Sequence, residues 1–221
     1  TFRNILKTLN KIQPMKKVIT LLFMLIYSLS IAQDNPKIAV SPETINPVKT
    51  GQKIPNVNVK TIDGRVVSLD SIVSSMPTVL IFYRGGWCPY CNVQLSGLQK
   101  IESELITLGY QIVAVSADKY ELLSETVSKD QINFKLLSDI DGTASVEFGI
   151  AYKISDEYYS KLKDYNLDLE TVTGNKNHIL PVPSVFILDT SGKINFEYIN
   201  PDYKVRLDTD ELLANAKSFA K

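Results

Sequence analysis

The chain has only two cysteines, Cys88 and Cys91, and both stand in the run Trp87-Cys88-Pro89-Tyr90-Cys91. Two thiols separated by two residues at the start of a helix are the arrangement that thiol redox chemistry needs. Pro89 suits a first helical position, where its missing N–H is not required and its φ is already set. That places Cys88 at the N-cap and Cys91 in the first turn. Side chains three apart on a helix lie about 5–6 Å apart at Cβ, so a modest adjustment closes a disulfide. Free N–H groups and the helix dipole favour a thiolate there, and such positions lower a thiol pKa from about 8.5 into the range of roughly 3.5–7.5. Cys88 is therefore expected to attack and Cys91, one turn deeper, to resolve. A bridge over so short a loop removes little chain entropy from the unfolded state, so stabilisation alone is a poor reason for the pair.

These thiols need a strand and a helix to hold them. Thr78-Val79-Leu80-Ile81-Phe82-Tyr83 is short, β-branched and aromatic, which predicts a buried parallel strand. After it, Leu95, Leu98, Ile101, Leu105 and Leu108 recur at helical spacing and predict a helix over 89–108, ending near Gly109. The alternation continues with a strand at 111–116, a helix at 119–130, a short strand at 134–137 and a helix at 142–149, which is βαβ logic. Asp63-Gly64 predicts a hairpin between 57–61 and 65–69, and Asp189-Thr190-Ser191-Gly192 predicts another between 184–188 and 193–199. Residues 155–165 are expected as an extra helix, 166–180 as a long polar loop holding the single histidine, His178, and 208–220 as a closing helix.

Upstream, Met15-Lys16-Lys17 is followed by an apolar run over 18–31 and by Ser30-Ile31-Ala32. A charged start, a short apolar core and small residues before a cut after Ala32 predict a secretory signal peptide over 15–32, with the mature protein exported to the periplasm and not inserted in the membrane; the alternative is an uncleaved membrane anchor. Residues 1–14 lack methionine and are read as an extension upstream of Met15. Residues 33–50 carry three prolines and are expected as a linker or strap, leaving 51–221 as the folded domain. An oxidising compartment suits a disulfide pair. The chain holds 24 basic and 24 acidic residues, with no basic cluster interleaved with aromatics, which excludes nucleic acid as an expected partner.

A strand, a WCxxC, a helix and, much later, a proline before an antiparallel hairpin resemble the thioredoxin superfamily. The fuller resemblance is to its peroxiredoxin-like branch, the alkyl hydroperoxide reductase and thiol-specific antioxidant group. It is carried by Gly51-Gln52-Lys53-Ile54-Pro55, the stretch from Phe82 to Cys91, Leu180-Pro181-Val182-Pro183, Phe186-Ile187-Leu188-Asp189 and Asn200-Pro201-Asp202-Tyr203. The resemblance implies an α/β thioredoxin fold, a central mixed sheet flanked by helices, with an N-terminal hairpin. It further implies a cis Pro183 whose loop, with Val182, lies against the CxxC and pairs with substrate backbone. Trp87, Pro89 and Tyr90 would form the rim that a partner touches. There are departures. Aligned on Phe82 and Phe186, Cys91 occupies the place of a peroxidatic cysteine, Cys88 that of its threonine, Arg84 that of its proline, and Pro183 that of its arginine; Arg84 could supply a charge instead.

Two chemistries follow from the pair. In one, the Cys88 thiolate attacks a protein disulfide and Cys91 releases the product. In the other, Cys91 reduces a hydroperoxide, Cys88 resolves it, and a thioredoxin-like donor restores the thiols. A third reading uses the soft thiolates of Cys88 and Cys91 with the His178 imidazole to handle copper or zinc. No other cofactor is expected. Asp139-Ile140-Asp141-Gly142 lacks the remaining ligands of a calcium loop and reads as a turn or cap.

Overall fold

The structure is a computed structural model that describes residues 37–220. The expectations for 1–14, 15–32 and the first residues of 33–50 lie outside the described residues. The elements are β1 (Asn58–Lys60), β2 (Val66–Ser68), α1 (Leu69–Ser75), β3 (Thr78–Tyr83), α2 (Pro89–Thr107), β4 (Gln111–Ser116), α3 (Leu123–Asp130), β5 (Lys135–Ser138), α4 (Thr143–Glu147), β6 (Ala151–Lys153), α5 (Asp156–Asp164), α6 (Leu169–Thr173), β7 (Ile179–Pro181), β8 (Ser184–Leu188), β9 (Ile194–Ile199) and α7 (Thr209–Phe219).

Seven strands form one mixed sheet in the order β2-β1-β5-β4-β3-β8-β9. The central β5, β4 and β3 run parallel, and β8 pairs antiparallel with β3 from Thr78↔Leu188 to Phe82↔Ser184. Side chains alternate across a strand, so β3 divides its residues between two cores. Val79, Ile81 and Tyr83 join the core made with α2, α3 and α7, and Leu80 and Phe82 join the core made with α1 and α4. Burial on both faces explains why β3 reads as an unbroken apolar run. This is the expected α/β thioredoxin-type sheet, with the expected hairpin of β1 and β2 registered as Asn58↔Ser68.

Two regions differ from expectation. Where a polar loop was predicted over 166–180, the chain forms α6 and then β7, and β7 pairs with β6 in a separate two-stranded sheet, Ala151↔Pro181 to Lys153↔Ile179. Three-residue strands are too short to show a period, and Pro181 lacks a donor, so the pattern hid them. The compact unit also extends back to Lys37, upstream of the expected start near Gly51. Residues 37–50 lie along the domain: Ala39 bridges Tyr152, and the Val48 N–H donates to the Phe148 carbonyl at 3.0 Å. Gly149, at φ 68°, passes directly beneath that strap, where a Cβ would strike the Asn46 carbonyl.

The Asp139 carboxylate accepts from the N–H groups of Ala144 and Ser145 at 2.8 Å each and from the Ser145 hydroxyl. It serves the first turn of α4, as a cap does.

Candidate active site

The site is made where β3 ends and α2 begins. Cys88 is the N-cap of α2, with φ −89° and ψ 115°, and Pro89 follows at the first helical position. The Cys88 carbonyl accepts from the N–H groups of Cys91 and Asn92 at 3.0 and 3.1 Å, so the first turn closes directly on the reactive residue. The Cys88 side chain makes no capping bond to the helix. What fixes α2 is its buried stripe of Cys91, Leu95, Leu98, Ile101 and Leu105. Each such leucine contributes roughly 1.5–3 kcal/mol, more than the ~1 kcal/mol of one cap.

Both cysteines are free thiols and both are buried. Their surroundings push them apart. Cys88 is pulled down to about 6, first by the hydrogen bond from the Cys91 thiol and, against the opposing effect of burial, by the positive charges of Arg84 and Arg206. Cys91 is pushed well above the ordinary thiol value by burial, then by donating that bond and by the charge on Cys88. One sulfur is a thiolate at neutral pH and the other holds the proton.

Two arginines flank the pair from different elements. Arg84, at the end of β3, is 1 % exposed and stacks its guanidinium against Tyr203 at 4.1 Å, Trp87 at 4.9 Å and Tyr158 at 5.5 Å. Arg206, in the loop before α7, donates from Nη2 to Cys91 Sγ at 3.3 Å and from Nη1 to Gln94 Oε1 at 2.9 Å. No motif marked Arg206, which lies 115 residues from Cys91; only the fold brings it there.

Below the turn sits a carboxyl group that the sequence also left unmarked. Asp118 is buried, and its Oδ2 accepts from the Gly86 N–H at 2.7 Å, with the Ser116 hydroxyl at 3.4 Å. Burial raises its pKa from 3.8 to about 7, against the lowering effect of those bonds. Gly85 and Gly86 make room for this packing. A Cβ on Gly85, whose φ is 155°, would strike Trp87 Nε1 and Asp118 Oδ1, and one on Gly86 would strike the Thr126 hydroxyl. Bare backbone at both positions is required sterically.

The remaining expected residues divide. Tyr90 is 41 % exposed and stands edge-on to Tyr203 at 5.8 Å, Pro89 is exposed, and Trp87 is half-buried, so these three reach the surface beside the thiols. Val182 and Pro183 are buried. The Val182 N–H is taken by the Ile150 carbonyl at 2.8 Å, and its carbonyl accepts from the Ser184 hydroxyl at 2.8 Å. The expected cis bond at Pro183 is also corrected: among the described residues every peptide bond is trans. Directly after Pro183, Ser184 opens β8 and pairs with Ile199. His178 does not approach the thiols as a ligand. Its Nε2 faces Glu170 Oε1 at 3.0 Å, and its ring lies 4.2 Å from that of Tyr159. Among the described residues no cluster of three His, Cys, Asp or Glu could hold a metal, which removes the geometric basis for the copper reading.

Comparison with known proteins agrees with this fold. The model of the AhpC/TSA family matches residues 50–197. Peroxiredoxin Bcp of Escherichia coli (strain K12) is 29% identical over 176 residues, covering 80% of this chain and all of the relative. Among solved structures, peroxidoxin BcpB from Mycobacterium tuberculosis superposes with a TM-score of 0.61 at 19% identity, over 79% of this chain and 99% of that one. Reduced Prx3 in complex with H2O2, from Vibrio vulnificus, gives 0.63 at 14%, over 76% and 99%.

Proposed function

The chain belongs to the AhpC/TSA family and is a thiol-dependent oxidoreductase; from that premise we propose that it reduces hydroperoxides with Cys88 as the attacking thiolate and Cys91 as the resolving thiol. One observation carries the assignment of roles: Cys88 is lowered to about 6 while Cys91 is raised and hands it a hydrogen bond. At pH 7 a group of that pKa is about nine-tenths ionised.

The Cys88 sulfur attacks the outer oxygen of the hydroperoxide. The O–O bond breaks, the alcohol or water leaves with a proton, and Cys88 becomes a sulfenic acid. Cys91 then attacks Cys88, displacing water and forming the disulfide. A dithiol donor of thioredoxin type takes the pair back to two thiols, and the rim of Pro89 and Tyr90 is the surface offered to it. A small oxidant also suits a Val182 whose N–H is already taken by the Ile150 carbonyl and so is not free to donate to a substrate strand. Export to the periplasm is part of the proposal; it is supported by the charged start and apolar run of residues 15–32.

A second reading exchanges the two roles, and the Arg206 bond to Cys91 Sγ favours it, because a guanidinium on the sulfur could also orient a peroxide there. Stopped-flow Trp87 fluorescence of the reduced protein and of Cys88→Ser and Cys91→Ser, against hydrogen peroxide and a protein disulfide, separates them. The first reading expects rapid peroxide oxidation of Cys91→Ser and none of Cys88→Ser. The opposite pattern supports the second, and fast disulfide exchange with negligible peroxide reactivity overturns both.

A further inference from the structure

Arg84 is the one buried basic side chain among the described residues, and it forms no salt bridge with any of them. A buried charge with no carboxylate partner is costly unless other groups hold it. Its Nε has no hydrogen-bond partner. Its one side-chain hydrogen bond is from Nη2 to the Tyr158 hydroxyl, at 2.6 Å. Three aromatic rings surround it, and two of them, Trp87 and Tyr203, border the thiol turn. Tyr158 comes from elsewhere: it lies on α5, in the segment between β6 and β7.

We propose that Tyr158 is a positioning residue for the thiol chemistry, its hydroxyl pinning the Arg84 guanidinium in place as the counter-charge of Cys88. This rests on Cys88 being the attacking thiolate. Cation–π contact with three rings is attractive but tolerant of sliding, whereas a short hydrogen bond to a charged donor fixes direction. Without it, Arg84 keeps its charge and loses its station. The segment from α5 to α6 thus takes part in the chemistry through one hydroxyl.

The other groups that bear on Cys88 are Cys91 on α2, Asp118 after β4, Tyr152 on β6 and Arg206 before α7. Burial holds Tyr152 and Tyr158 above the ordinary phenol value, so neither competes with Cys88 for a proton near neutral pH. Cys91 is raised too, which leaves Asp118 as the competing titration.

The test uses the full chain with Cys91→Ser, which leaves one thiol and keeps a hydroxyl donor beside it. The rate of Cys88 alkylation by iodoacetamide is followed against pH. A neighbouring opposite charge shifts a pKa by about 1–3 units, and Tyr158→Phe forfeits part of what Arg84 contributes to Cys88. The expected result is a midpoint higher by about 0.5–1 pH unit, or about three- to ten-fold slower alkylation below the midpoint. Tyr159→Phe, whose hydroxyl binds Asp168 instead, leaves the midpoint where it was. In an Arg84→Met background Tyr158→Phe adds nothing further, since it acts only through the guanidinium. A parent midpoint near 6 that Tyr158→Phe does not move overturns the clamp alone. The same rise with and without Arg84 also overturns it. A parent that titrates like a free cysteine overturns both the clamp and the Cys88 reading.

Discussion

Cys88 and Cys91 share one turn of α2, yet one is held as an anion and the other as an acid. Cys88 sits at the unpaired end of the helix and receives the charge of a caged guanidinium. Cys91 faces the core beside Leu95, and the nearby Arg206 does not offset its burial. The difference teaches that a CxxC does not itself assign roles. The elements that reach the turn do so, here β3 from one side and the loop before α7 from the other.

The sharpest way to break this asymmetry is Cys88→Ser, which removes the anion. Its reaction with peroxide should fall by at least about three orders of magnitude, the scale on which a nucleophile matters, while Cys91→Ser keeps the first step and loses turnover. Gly85→Ala attacks the frame instead. With φ 155° and two close neighbours, Trp87 and Asp118, it should destabilise the protein by about 2–4 kcal/mol, read from urea unfolding. Asp118→Asn sharpens the comparison. Asp118 and Cys88 titrate near each other, at about 7 and about 6, and each charge disfavours the other. Cys88 should therefore titrate broadly in the native protein and in one sharper, lower step in the variant.

The same substitution also has a stability signature. The folded state binds the Asp118 proton more tightly than the unfolded state does. Its contribution is therefore complete below about pH 4 and falls as pH rises through about 7. Denaturation midpoints should flatten over that window in Asp118→Asn, leaving a smaller slope from Asp139, which is likewise raised, to about 6. The smallest effect is expected of Arg206→Met. If Cys91 only resolves, the second step should slow by about three- to ten-fold, one hydrogen bond to a sulfur being worth about 1 kcal/mol. A collapse of the peroxide step itself would instead make Cys91 the attacking thiol.

Much of this was legible in the sequence because it is local. The strand at 78–83, the proline after Cys88 and the apolar stripe from Cys91 to Leu105 are written in adjacent residues, and they fix where the thiols stand. Tyr158, Asp118 and Arg206 were not legible. They lie on three separate elements, none sits in a motif, and only the sheet order brings them to one turn. Pro183 shows the opposite failure: it does stand immediately before a strand, but its peptide bond is trans.

The helix that begins at Cys88 has no side-chain cap, so its first N–H groups find an anion only when Cys88 is reduced and ionised. Closing the disulfide abolishes that anion. Moving a thiol from 9.0 to about 6 favours the reduced form at pH 7 by about 1.4 kcal/mol, equivalent to a reduction potential about 30 mV more positive. The oxidised pair is thereby biased to accept electrons, which makes it a bond built to be reopened at every cycle.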